Sequence, residues 1–381
     1  MTDPIERVCL AHLQIPFKEP FRISGGEVAI KDAILVTVET ANGLVGVGES
    51  SPMAASFGYS TDTPEQCWTE LTEQIAPSLL GSRFDDLDQI AALASRWTCC
   101  KFAAAGAETA CWDLIAQSWH MSLAEMLGAT ADRVRAWVES GLAVGLYPSI
   151  VELLQVIERH LSEGYKRVKI KIRPGQDVEL VKAVRQHFGD LPLQVDANAA
   201  YTSDQIDVFR ELDDYELLMF EQPMAADDLD GLAALQRAVS TPVCLDETAD
   251  CLSRTAEAIR RDACRIVNIK LQRVGGFRAA LALNDLCQQH GVACWVGTMP
   301  ELGVGQAHGI HLATLTNCKY PTDIEPSSRW FVDDYVVPRI ELSAAGLLSV
   351  PTRAGLGYQV DPVKVRRYQV QNCELKSRAM A

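Results

Sequence analysis

The sequence predicts an α/β protein: a closed barrel of alternating strands and helices with a smaller α+β domain in front of it. Three observations carry this. From about residue 135 onward, short apolar strands alternate with helical stretches of ten or more residues. Their spacing of roughly 25 to 30 residues matches a barrel of about 250 residues divided by eight. The preceding 125 or so residues have a different texture, with strands first and helices after.

In the front domain, Ala33 to Glu39 and Leu44 to Glu49 are β-rich runs joined by Thr40-Ala41-Asn42-Gly43, an Asn-Gly turn signal that predicts a hairpin. Thr63-Pro64-Glu65 reads as a helix start with proline in the first turn, and Ala103 to Ser118 as an alanine-rich helix. Barrel strands are expected at Ala136–Gly141, Arg167–Ile172, Leu193–Ala197, Leu217–Glu221, Val243–Asp246, Ile266–Lys270, Ala293–Gly297 and, most weakly, Tyr320–Ile324. An open doubly wound sheet is the main alternative, but no G-x-G-x-x-G follows any of these strands. Ile340 to Val350 is strand-like, and the polar tail beyond it is expected to pack back on the front domain. The resulting division is 1–125, 126–340 and 341–381.

Composition narrows the function. Thirty-five basic against 50 acidic residues give a net charge of −15, which repels phosphate backbones and anionic membranes. Nucleic acid and membrane partners are therefore not expected. With 48% hydrophobic and 22% charged residues the chain is that of an ordinary folded protein, and no apolar run reaches the length of a membrane span. The N-terminal segment carries no basic region followed by an apolar one, which places the protein in the cytoplasm. Twelve cysteines without a C-x-x-C pair read as reduced and mostly buried, the adjacent Cys99 and Cys100 included.

The informative anomaly is charge at the C-terminal ends of apolar strands. Lys171, Asp196, Glu221, Asp246 and Lys270 each end such a run, at intervals of 25, 25, 25 and 24 residues. In a barrel this phase sets all five on one rim, the face where active sites of the fold are built. Three carboxylates on adjacent strands are oxygen ligands suited to a hard divalent cation such as Mg²⁺, and none of the seven histidines stands among them. A lysine on either side would face the substrate from opposite sides of the mouth. Two opposed amines can move a proton next to a carboxylate, while the metal stabilises the charge that accumulates on the substrate oxygens. Lys169 points to the same face as Lys171 and favours its neutral amine by like charge.

Each residue also has a bland reading. A single aspartate at a strand end is often a helix cap, and a single lysine there is usually solvated. Two rival functions stand beside the metal-dependent one: a barrel that binds ligand without turnover, and a Schiff-base aldolase, which leaves the three carboxylates unexplained.

The motifs Lys169-Ile170-Lys171, Asp196-Ala197-Asn198, Phe220-Glu221-Gln222-Pro223, Leu245-Asp246-Glu247 and Asn268-Ile269-Lys270, followed by Arg273-Val274-Gly275-Gly276, resemble the enolase superfamily, muconate lactonizing subgroup. The resemblance covers nearly the whole chain. It implies a (β/α)7β modified TIM barrel with an N-terminal α+β capping domain, a Lys acid–base pair at Lys171 and Lys270 assisted by Lys169, and Mg²⁺ on Asp196, Glu221 and Asp246. Pro20-Phe21-Arg22 with Ser24 and Gly25 resembles the mobile capping loop, and Gly48-Glu49 through Tyr59 the second loop.

Gly297 to Glu301 and Thr322 to Phe331 are most similar to o-succinylbenzoate synthases and N-succinylamino acid racemases. Arg273 matches an arginine of the racemases, whereas Leu271-Gln272 and Gln306 depart from the pattern. The implied reaction is dehydration or racemisation through proton abstraction alpha to a carboxylate. Muconate cycloisomerisation and the epimerisation or dehydration of dipeptides or amino-acid derivatives are the alternatives. Implied substrate contacts are Ser24, Asn198, Arg273, Met299 and Glu301, with Glu247 supporting the metal ligands. Ser24 has a bland reading as a turn former, Met299 as packing and Glu301 as a helix cap. The resemblance further implies a homo-oligomer acting on a small-molecule carboxylate.

Overall fold

The computed structural model describes residues 2–23, 26–54, 60–128, 134–343 and 346–377. Its strands are β1 (Ile5–Ile23), β2 (Gly26–Thr40), β3 (Val45–Ser50), β4 (Trp137–Glu139), β5 (Leu142–Val144), β6 (Val168–Lys171), β7 (Leu193–Asp196), β8 (Phe220–Glu221), β9 (Val243–Leu245), β10 (Ile266–Ile269), β11 (Ala293–Val296), β12 (Val336–Val337), β13 (Leu347–Ser349), β14 (Gln359–Val360) and β15 (Gln369–Lys376).

The capping domain is an antiparallel sheet in the order β15-β1-β2-β3. The expected hairpin joins β2 to β3, with Gly43 at φ +82° and Thr40 Oγ1 donating to Asn42 Oδ1 at 2.6 Å. That positive φ is why the turn ends on glycine. A longer hairpin pairs β1 with β2, beyond the one the sequence predicts, and its described residues reach the barrel where Phe17 bridges Phe331 and Phe21 packs on Trp330. The helix Lys101–Ser118 lies against β3 so closely that a Cβ on Gly48 would come 1.9 Å from the Gly106 carbonyl oxygen. Glycine and alanine here let a helix backbone seat directly on a sheet. The tail strand β15 pairs antiparallel with β1.

The helix start at Thr63 is capped as its residues dictate, with Gln66 N bonded to Thr63 Oγ1 at 3.2 Å and Gln66 Oε1 accepting from Thr63 N at 2.9 Å. Of the adjacent cysteines, Cys100 is buried with its Sγ 3.2 Å from that of Cys67, but Cys99 is exposed, contrary to the expectation.

The barrel is a curled parallel sheet in the order β5-β6-β7-β8-β9-β10-β11, each strand followed by a helix that covers it. Two expectations are corrected. The first barrel strand is β5, because β4, at the expected position, pairs antiparallel with β13 outside the barrel. The eighth, Tyr320–Ile324, forms no strand; residues 317–323 instead lace the two edges together. Cys294 N donates to Asn317 O at 2.9 Å, Asp323 N to Val296 O at 3.1 Å, and Gly141 N to Thr322 O at 2.8 Å. A short irregular stave has no alternating pattern to read, which is why its apolar signal is weakest. No described helix is long and apolar enough to cross a membrane.

Candidate active site

Register fixes where the charged strand ends fall. Lys171 pairs with Asp196, and Asp196 with Glu221, across β6, β7 and β8. Asp246 follows β9 and Lys270 follows β10. Counting β5 as the first of eight staves, β6 and β10 lie four apart, on opposite sides of the mouth, with the three carboxylates on the staves between.

The side chains meet. Lys169 Nζ lies 3.1 Å from Glu221 Oε2, 3.3 Å from Asp196 Oδ2 and 2.5 Å from Asp323 Oδ2, over the Trp295 ring. Lys171 Nζ donates at 2.6 Å to both Asp196 Oδ2 and Asn198 Oδ1. Across the mouth Lys270 Nζ is 2.9 Å from Asp246 Oδ2, and Arg273 pairs with the other oxygen of Asp246. Asn198 Nδ2 donates to Glu247 Oε1 at 3.1 Å. The cap reading survives in one detail, since Asp196 Oδ1 also accepts from Asn198 N at 3.0 Å. Asp246 stands before a short helical turn but makes no capping bond.

All three carboxylates are buried. Burial, reinforced by the charge of Asp196, pushes the Glu221 carboxyl up to about 8. Burial would likewise raise Asp246, but Arg273 and Lys270 outweigh it and hold that carboxyl below the usual range. For Asp196, Lys171 and Lys169 overcome burial in the same way. One cluster thus contains carboxylates pulled in opposite directions, the condition under which sites acquire distinct roles.

The donor set fits a hard cation. Gln194, Asn268 and Glu247 each bond into the cluster through one polar atom, while Gln194 Oε1, Asn268 Oδ1 and Glu247 Oε2 are buried without a donor. The fit rests on the carboxylates themselves: Asp196, Glu221 and Asp246, all buried on adjacent staves, offer only oxygen donors, the chemistry a dication such as Mg²⁺ prefers.

Two families cover almost the whole length: residues 5–128 match the mandelate racemase / muconate lactonizing enzyme N-terminal domain, and residues 152–364 the enolase C-terminal domain-like family. The chain belongs to the enolase superfamily. It is 40% identical over 368 residues to an o-succinylbenzoate synthase of Geobacillus stearothermophilus, covering 97% of this chain and 96% of that protein. It is 37% identical over 349 residues to an N-succinylamino acid racemase of Amycolatopsis, covering 91% and 93%. A solved structure of an enolase superfamily member from Listeria innocua superposes with a TM-score of 0.92 at 34% identity, over 99% of this chain and 100% of that one. This chain is accordingly a lyase or isomerase of the enolase superfamily, whose members generally use Mg²⁺.

Not every expected contact of this superfamily member reaches the mouth. A cavity of about 30 Å³ beside Lys169 and Lys171 is bounded by Phe21, Thr298, Pro300, Asp323 and Trp330, but not by Met299 or Glu301. Those two face the seam with the capping domain, where Met299 O accepts from Lys31 Nζ at 3.0 Å and Glu301 Oε2 accepts from Met299 N at 3.0 Å. Glu301 does not cap the following helix, Gly303–Leu312, either; Glu49 of β3 accepts from Leu302 N at 2.8 Å and Gly305 N at 3.0 Å and does so instead. Ser24 lies outside the described residues. A larger space of about 810 Å³ runs beside the helix Ile150–Leu161, away from the carboxylates, and shares Phe21, Gly145 and Trp330 with the small one.

Asp323 is the main residue that sequence reasoning missed. It joins Lys169 to Arg167, whose Nη1 donates to Asp323 Oδ1 at 2.9 Å. The strand-end criterion would have found it had its stave carried a clear apolar run.

Proposed function

We propose that this chain abstracts the proton alpha to a carboxylate, catalysing o-succinylbenzoate synthase-type dehydration or N-succinylamino acid racemisation. The placement of Lys171 and Lys270 four staves apart, with three carboxylates between, carries the reading. The 37 to 40% identity to enzymes of both names over nearly the full chain supports both chemistries.

Asp196, Glu221 and Asp246 would hold Mg²⁺, which supplies Lewis-acid stabilisation of the charge that collects on the substrate carboxylate. The remaining work belongs to side chains. One lysine takes the alpha proton; the other returns a proton to the opposite face, or stabilises the enolate while a β-hydroxyl departs. Asp196 and Asp246 aim the two ammonium groups, and Asn198 holds Lys171 from its second side. Linked contacts assemble five cations (Arg167, Lys169, Lys171, Lys270 and Arg273) with five carboxylates (Asp196, Glu221, Asp246, Glu247 and Asp323). The 30 Å³ beside the lysines holds one or two waters, so a substrate the size of an acylamino acid displaces Phe21 or Trp330 on binding.

We place the enzyme in the cytoplasm as a homo-oligomer acting on a small carboxylate, with no nucleic-acid partner, in keeping with its acidic charge. The test is alpha-hydrogen exchange in D₂O with Mg²⁺, across N-succinylamino acids and the hydroxyacid precursor of o-succinylbenzoate. Exchange into the former and dehydration of the latter support the reading; neither, with any acid, sinks it.

A further inference from the structure

Lys31, in β2 of the capping domain, has no exposed surface. Its three ammonium hydrogens meet three backbone carbonyls, Ser51 O at 2.9 Å, Met299 O at 3.0 Å and Pro52 O at 3.2 Å, with Met53 Sδ at 3.4 Å beside them. An ammonium in so dry a place is costly unless every hydrogen is satisfied, and three carbonyls match its donor count. Ser51 and Pro52 follow β3 in the second capping loop, whereas Met299 belongs to the barrel loop after β11. One side chain thus ties the strand beneath it, a loop of the cap and a loop of the barrel.

The same barrel loop is held a second time. Glu49 accepts from Leu302 N and Gly305 N, and its Oε2 also takes the Tyr335 hydroxyl at 2.5 Å. Gln272, just after β10, completes the seam by donating to Glu49 O at 2.7 Å and accepting from Ser51 N at 3.1 Å. Met299 is therefore gripped from the cap while its neighbours Thr298 and Pro300 form part of the wall beside Lys169 and Lys171.

We infer that Lys31 is a positioning residue for substrate recognition. By holding Met299 O and the Ser51 and Pro52 carbonyls together, it sets the height of the Thr298–Pro300 wall against the cap. It touches neither the lysines nor the carboxylates, so it acts on substrate fit and not on the proton transfer. This rests on the reaction proposed above, and one readout is chosen to be independent of it.

The test is Lys31→Met, which keeps the volume and removes the three donors, with Lys31→Gln as a shorter variant that keeps two. Hydrogen–deuterium exchange should accelerate at least tenfold in peptides spanning 298–305, with β7 to β9 unchanged. KM for N-succinylamino acids should rise at least tenfold and the preference among amino-acid side chains should shift. The kcat for alpha-proton exchange should stay within about threefold, and Lys31→Gln should recover part of the KM. Unchanged loop exchange with unchanged KM overturns the inference. So does acceleration throughout the chain with kcat falling alongside, which marks a core residue only. If wild-type enzyme exchanges no alpha proton with any acid, the proposed reaction fails, and the loop-exchange measurement still decides the role of Lys31.

Discussion

The barrel mouth and the seam between cap and barrel both bury ions, yet they are built in opposite ways. At the mouth, the partners on successive staves are close in sequence, Asp323 excepted: Lys171 and Asp196 are 25 residues apart, Asp246 and Lys270 are 24. In the seam, Lys31 and Met299 are 268 apart, and Glu49 and Tyr335 are 286. The mouth repeats one device on successive staves, a charge ending an apolar strand. The seam joins single residues from unrelated elements, satisfied mostly by backbone groups of another segment and, for Glu49, also by the Tyr335 hydroxyl. Repetition makes a site readable; one-off complementarity does not.

The largest expected effects break the mouth. Chelation by EDTA should take alpha-proton exchange to background and Mg²⁺ should restore it; persistence after exhaustive chelation would remove the metal from the reading. Lys171→Ala and Lys270→Ala should each lower kcat by about 10³-fold, the scale of a lost general acid or base. Loss of less than tenfold in either would break the opposed pair.

Arg167 tests whether a buried ion outside the 25-residue phase serves the fold instead. Its guanidinium, 1% exposed, bonds Asp323, Pro321 O and Thr322 O and so pins the irregular eighth stave. Arg167→Met should cost about 3–5 kcal/mol in urea unfolding because it strands Asp323 among fewer donors.

Glu108 sharpens the seam. It sits in the helix Lys101–Ser118 and accepts from Arg278 N at 3.1 Å, with burial pushing its carboxyl up to about 7. The folded chain then keeps a proton that the unfolded chain has released above its ordinary 4.5. Its contribution is full below that value and lost as pH rises through 7, by roughly 3 kcal/mol over the window. Glu108→Gln should flatten unfolding free energy between pH 5 and 8; an unaltered slope assigns the effect to other carboxyls. At the small end, Arg210→Ala on the exposed surface, where Arg210 pairs with Asp207 at 2.6 Å, should change stability by less than about 0.5 kcal/mol.

What could be read in advance follows the same division. The strand ends, the Asn-Gly hairpin and the Thr63 cap are local or periodic, so residue type and spacing announce them. The β1 hairpin over the mouth, the split of β4 from β5 and the lacing by 317–323 depend on which edges are open once the barrel curls. Met299 and Glu301 illustrate the limit. Their loop follows β11 at the rim, but which of its residues face the lysines is set by Lys31 and Glu49, more than 250 residues away in the chain.

By itself, then, the sequence determined the barrel, its phase and the five charged residues that end its strands, because a 25-residue repeat forces equivalent positions onto one rim. Only the tertiary structure decided how that rim is closed and covered. The carbonyls that Lys31 grips and the helix end that Glu49 caps become acceptors and donors in one place only after two domains have met.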